Sequence, residues 1–209
     1  MNKNMQLTRL TAALVFLYSL VLYVMTVAPT ASFWDCGEFI AISNRLQVSH
    51  PPGAPVYMLM GRIVSMFVPQ AYISLSINLM SVLASALTIL MAFLIMVHLI
   101  EEWKGDAEQW SGTDRLAALG GSAVGALTFA ATDSFWFNAV EAEVYAISMF
   151  FMGIVVWLIM KWSWQIRHER ATGRISGRFV LGAVTSRYLV LIMYMFGLAI
   201  GIHLLNVLA

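Results

Sequence analysis

From Ala71 to Ile100 the chain runs thirty residues without an Asp, Glu, Lys or Arg. A helix that crosses the hydrocarbon core of a bilayer needs about 20 largely apolar residues, so this run alone commits the chain to lipid. Four more stretches share the property. Leu10 to Trp34, Leu116 to Thr132 and Val144 to Met160 carry no charge, and Tyr188 to Ala209 is broken only by His203. The composition agrees: 60% of residues are hydrophobic and 11% charged, against about 25% charged in a soluble domain. The expected fold is an all-α integral membrane protein, a polytopic helical bundle of about five spanning helices. The spans fall near 10–28, 74–100, 116–132, 144–160 and 188–208, within one transmembrane module covering 1–209. A formal net charge of +1 offers nothing to nucleic acid. A single cysteine, Cys36, excludes an internal disulfide.

Lys and Arg near span ends set orientation. With the N-terminus in the cytoplasm, Lys3, Arg9, Lys104, Arg115, Lys161, Arg167, Arg170, Arg174, Arg178 and Arg187 all fall inside, and only Arg45 and Arg62 fall outside. The first span is too long for the apolar core of a signal peptide and lacks a clear small-x-small cleavage site, so it reads as an uncleaved helix. Two loops then face outward, near 29–70 and 133–143. They hold all five prolines, together with Asp35, Glu38, Asp133, Glu141 and Glu143. His203, late in the last span, lies near the same face. The inner face is expected to be basic, with no comparable cluster of acids and histidines.

Chemistry therefore belongs to the outer face. If Phe33 to Leu46 is helical, Asp35 and Glu38 share a face, continued by Ile42 and Arg45. Such a carboxylate can act as a general base toward a hydroxyl, and the pair can hold a divalent cation. An acid at the end of a span is also an ordinary solvated cap. His50 precedes Pro51-Pro52-Gly53, a stiff turn that fixes its side chain, or merely returns the chain to the membrane. Asn138, Glu141 and Tyr145 are expected on one helical face, with Glu143 pointing elsewhere. Glu141 and Glu143 also suit a helix N-terminus through the dipole. An ionisable residue inside a span, as His203 is, marks function by default, although a neutral packing histidine is the simpler alternative. Gly197 and Gly201, four apart, permit close helix contact. The segment Arg167 to Arg178 reads as a basic loop touching anionic lipid headgroups.

Five segments in order carry a resemblance: FWDCGEF, SHPPGAPVY, INLMS, FWFNAVEAEVYA and GLAIGIHLLN. The chain resembles bacterial membrane proteins long catalogued as a domain of unknown function, related to the eukaryotic transmembrane O-mannosyltransferase of receptor ectodomains and grouped with the GT-C glycosyltransferases. The likeness runs from about Leu10 to Ala209. It implies a bacterial inner-membrane enzyme, active on its extracytoplasmic face, that moves a sugar from a polyprenyl-phosphate donor to Ser or Thr hydroxyls of exported protein. Mannose is carried over from the eukaryotic relatives. The matching motif puts the catalytic acid on Asp35 with Glu38 beside it. Arg45, Arg62, His50 and His203 are candidates for the leaving phosphate. Asn138, Glu141, Glu143 and Tyr145 are candidates for binding sugar or acceptor. Family members are usually longer, so this chain looks like the N-terminal part of the module or a shortened member. Two other readings remain: a non-catalytic membrane subunit of a larger assembly, and a proton-coupled transporter, which would need polar groups continuing toward the inner face.

Overall fold

The computed structural model describes residues 3–105, 110–175 and 182–204. Arg178 and the last residues of the expected fifth span therefore lie outside the described residues. The described chain holds eight α-helices: α1 (Lys3–Thr26), α2 (Cys36–Arg45), α3 (Pro55–Ser65), α4 (Ile73–Lys104), α5 (Gly112–Ala130), α6 (Asp133–Ala139), α7 (Val144–Ala171) and α8 (Ala183–Ile200). A short 3₁₀ turn, Gln70–Tyr72, leads into α4.

Three of these, α1, α4 and α7, are long and apolar enough to cross a membrane. The charge-free run around 116–132 becomes α5, which bends by 70° into α6; counted as one broken span, the pair brings the number to four, and counted as a re-entrant loop it does not. The apolar part of α8, Val184–Ile200, is shorter. The sequence expectation of about five spans thus becomes three full-length helices, one bent pair and one shorter apolar helix. At 1.5 Å per residue the 32 residues of α4 extend about 48 Å, more than the ~30 Å hydrocarbon core, so its ends project into the interfaces.

The central helix is α4, which packs against α1, α5, α3 and α7, while α8 lies against α7. Apolar contacts divide around it. On one side Val15 and Tyr23 of α1 meet Val82, Ile89 and Phe93 of α4 and Ala126 of α5. On the other, Phe39 of α2 and Tyr57 of α3 meet Ile147 and Phe151 of α7 and Ile202 beyond α8. Many buried positions along α4 are small and polar: Ser76, Ser81, Ser85 and Thr88. Small side chains let helices approach closely where lipid gives no hydrophobic drive.

The two ends of the bundle differ. At one, the start of α5 is fixed by a reciprocal capping box, in which Ser111 Oγ accepts from the Asp114 N–H and the Asp114 carboxylate accepts from the Ser111 N–H. Arg115, buried beneath it, donates to Glu101 at 2.8 Å and to Thr8. At the other end the chain between α1 and α4 does not form a plain loop. It builds α2 and α3, which pack on each other and on α4. The bend between α5 and α6 is sealed by Tyr23, whose hydroxyl donates to the Ala130 carbonyl at 2.9 Å. The Ala28 N–H donates to Val140 O at 2.9 Å, and the Val56 N–H donates to Gly201 O at 2.9 Å. Of these two backbone bonds, the first ties the segment after α1 to the one after α6, and the second ties the start of α3 to the segment after α8.

Candidate active site

Asp35 is the residue just before α2, and Glu38 lies in its first turn. Trp34 immediately precedes them with a left-handed φ of +59° and a highly exposed ring. A bulky residue there is uncommon. Asn78 explains why the segment holds its course. It is fully buried on α4, and its Nδ2 donates to the carbonyls of Ala28 (2.6 Å) and Thr30 (3.0 Å). Its Oδ1 faces Cys36 Sγ at 3.8 Å. One amide thus clamps both sides of the turn that delivers Asp35.

His50 returns to the same place from the other end of α2. The turn after it closes by a hydrogen bond from the Gly53 N–H to His50 O at 3.0 Å, with Gly53 at φ +87°, a conformation that costs glycine little. The His50 backbone N–H donates to Glu38 Oε1 at 2.9 Å, and Nδ1 lies 3.1 Å from Glu38 Oε2. This leaves Nε2 directed toward Asp35, 4.0 Å from Oδ2. The Phe39 ring supports the imidazole, with centroids 5.9 Å apart. Both hydrogen bonds from His50 hold the Glu38 carboxyl below its ordinary range. Glu38 in return raises His50, with smaller contributions from the charges of Asp35 and Glu143.

Asp35, His50, Glu143, Tyr145 and His203 line one small cavity of about 50 Å³. The floor comes from α2 and the His50 turn, one wall from the start of α7, and the other from the residues after α8. The Tyr145 and His203 rings lie 5.2 Å apart. Glu143 is almost wholly buried. Burial pushes its carboxyl up to about 7, and the charges of Glu141 and Asp35 push the same way. The cavity therefore pairs an exposed aspartate with a buried glutamate that holds its proton more tightly than an ordinary carboxyl.

The other expected site residues lie elsewhere. The backbone leaves the helix between Ala139 and Val144, so Asn138, Glu141 and Tyr145 do not share one helical face, and Glu143 is the glutamate that reaches the cavity. Glu141 is buried behind it, accepting a hydrogen bond from the Ser32 hydroxyl, while its Oε1 has no partner. Burial raises its carboxyl as well. Asn138 donates to the Ser134 carbonyl within its own helix at 2.8 Å and borders a separate apolar cavity of about 230 Å³, which Tyr145 also lines. Arg45 is exposed at the far end of α2, about 15 Å along the helix from Asp35 at 1.5 Å per residue. Arg62, near the end of α3, donates to the Asn44 carbonyl there. Neither arginine lines the cavity.

Asp35, Glu38 and His50 present ligand atoms within 4.8 Å of one another, a set that can gather a divalent cation.

Residues 35–209 match the family described as the N-terminal domain of protein O-mannosyl-transferase TMEM260. The chain belongs to this family. The match opens at Asp35 and takes in every lining residue of the cavity. A relative in Dictyostelium discoideum, protein O-mannosyl-transferase tmem260, is 26% identical over 147 residues, which are 69% of this chain and 16% of that protein. The chain thus corresponds to about a sixth of its relative's length. No solved structure matches it.

Proposed function

We propose that this family member is a membrane glycosyltransferase of the GT-C type. It takes a sugar, mannose by analogy with its relatives, from a polyprenyl-phosphate donor and delivers it to Ser or Thr hydroxyls of exported protein. The observation that carries the reading is the convergence of Asp35, His50, Glu143 and His203 on one cavity, from three separate stretches of chain.

The chemistry is a displacement at the anomeric carbon. The acceptor oxygen forms the new bond to that carbon as the bond to phosphate breaks. The polyprenyl phosphate leaves with the electron pair, and Asp35 takes the hydroxyl proton. Asp35 is exposed and lines the cavity, so its carboxyl oxygens are open to an incoming hydroxyl. His50 is the cation nearest Asp35, fixed by Glu38, and His203 stands across the cavity. In this reading His50 meets the leaving phosphate as a cation and His203 as a neutral N–H donor, in place of Arg45 and Arg62, which do not line the cavity. A cation held in place stabilises developing negative charge more than one that must reorganise. Protonated Glu143 can donate a hydrogen bond to a sugar hydroxyl without bringing a second full charge beside Asp35.

In this reading the end carrying Asp35 and His50 faces outward and the end carrying Arg115 faces the cytoplasm, as the distribution of Lys and Arg favours. The bacterial inner membrane is the proposed location.

The test uses the protein in vesicles with a labelled mannosyl-phosphoryl polyprenol and a Ser/Thr-rich acceptor peptide. The expected product is labelled peptide whose sugar is released by alkaline β-elimination. Label that stays on lipid, with the protein folded and abundant, would favour the reading of a subunit that needs a partner chain or further domain.

A further inference from the structure

The end of the bundle that carries Arg115 is not the plain basic surface expected from sequence. His98, Glu101 and Glu102 of α4 face Lys161 and Arg167 of α7 and Tyr188 of α8 across a cavity of about 830 Å³. That volume falls within the usual range for small-molecule sites, roughly 300–1,000 Å³. We propose that this cavity seats the headgroup of an amine-bearing phospholipid.

Three observations point to that ligand. The first is charge. Two carboxylates and two cations line the cavity; Glu101 is held by Arg115 and Glu102 by Arg167, each through Oε1, so the second oxygen of each is the one to meet an ammonium, whereas a simple anion would face both carboxylates. The cations differ in their engagement. Arg167 is paired to Glu102. Lys161 lies over the Trp157 ring at 4.5 Å and has no carboxylate within 4 Å among the described residues. A ring under an ammonium leaves its N–H groups free for a phosphate.

The second is His98. Its side chain is nine-tenths buried and lines the cavity, yet Nε2 makes no hydrogen bond, lying 3.5 Å from Glu102 Oε1. A buried polar atom without a partner is costly. A zwitterionic headgroup satisfies either tautomer, with its ammonium donating or its phosphate accepting.

The third is depth. Lys161 directly follows the charge-free run Val144 to Met160, so the cavity opens where hydrocarbon gives way to water. Trp157, Trp162 and Trp164 cluster at that level, as aromatic residues do at the interface. Acyl chains can continue along the apolar flanks of α7 and α8. The proposal does not depend on the transfer reaction at the opposite end.

The experiment is native mass spectrometry of the full chain released from nanodiscs of equimolar phosphatidylethanolamine and phosphatidylglycerol. Wild type is expected to retain one phosphatidylethanolamine in preference to phosphatidylglycerol. Lys161→Met should lower that retention about tenfold, a loss of about 1.4 kcal/mol, and Lys161→Arg should keep it. Melting temperatures of both variants show that any loss is not unfolding. Inorganic phosphate in excess should leave the lipid in place. Equal retention of the two lipids, or no effect of Lys161→Met in a folded protein, would overturn the proposal. Displacement by inorganic phosphate would overturn it too, by making the site one for a soluble phosphate.

Discussion

Glu38 grips His50 twice, accepting the backbone N–H at 2.9 Å and meeting Nδ1 at 3.1 Å. The second contact orients the ring and turns Nε2 toward Asp35. The pairing raises His50 and lowers Glu38, so the charged pair exists between those two midpoints. It is lost as pH rises through the raised His50 value, and lost again as pH falls through the lowered Glu38 value. In Glu38→Gln the His50 midpoint should fall toward the ordinary imidazole range, as read by NMR titration of labelled histidine. Transfer should drop mainly in kcat, because the ring is no longer held. An unchanged midpoint would mean that Glu38 does not orient His50.

Glu143 gives a pH signature of the opposite kind. Its carboxyl rises from 4.5 to about 7 in the folded protein. The folded state therefore binds that proton more tightly than the unfolded chain does. Stability should fall as pH climbs from 4.5 through 7, by at most about 3 kcal/mol at 1.36 kcal/mol per pH unit. Glu143→Gln should melt higher than wild type at pH 8 and no higher at pH 4.5. An equal offset at both pH values would contradict the burial of an ionisable carboxyl there.

The Asn78 clamp is testable apart from catalysis. Asn78→Ala removes both donors to the Ala28 and Thr30 carbonyls, at an expected cost of about 1–3 kcal/mol for buried groups left unsatisfied. Hydrogen exchange should speed up between residues 28 and 36 and little elsewhere. Uniform exchange across the bundle would show that the amide supports the whole core rather than this turn.

Gly201 and Gly197 separate close contact from mere spacing. A Cβ at Gly201 would come within 2.5 Å of Val56 Cγ2, whereas one at Gly197 meets nothing within 4 Å. Gly201→Ala should cost about 1–3 kcal/mol by overpacking and disturb the Tyr145–His203 wall. Gly197→Ala should be near neutral or slightly stabilising within its helix. Similar melting temperatures for the two variants would contradict the tight junction between α3 and the end of α8.

Much of the fold was legible because lipid imposes a simple rule: charge-free runs become helices. Gly197 and Gly201 show where the rule stops, since four-residue spacing marks a possible contact and only the partner helix decides which glycine makes it. The site was partly legible. Asp35, Glu38 and His50 stood out as polar residues in a proline-rich loop, and folding brings them together. In the second loop helical counting fails at residues 140–143, where the chain leaves the helix. Such counting favours Glu141 over Glu143. Arg45 and Arg62 were read by charge alone, and the length of α2 sets them apart from Asp35. Asn78 sat within the INLMS segment without a role, because the carbonyls it holds lie about fifty residues earlier. The cluster of His98, Glu101 and Glu102 with Lys161 and Arg167 is invisible in sequence for a related reason. Its members come from two long helices, and neither stretch looks unusual by itself.

The central claim is that Asp35 takes the acceptor proton. The direct measurement is sugar transfer from labelled mannosyl-phosphoryl polyprenol to a Ser/Thr peptide, comparing wild type with Asp35→Asn at equal membrane abundance and equal melting temperature. Asparagine keeps the shape and loses the base, so transfer should fall at least a hundredfold, the lower end of what general base catalysis contributes, with donor binding little changed. Transfer at the wild-type rate in Asp35→Asn would contradict the account and leave the acid at the start of α2 as an interfacial cap.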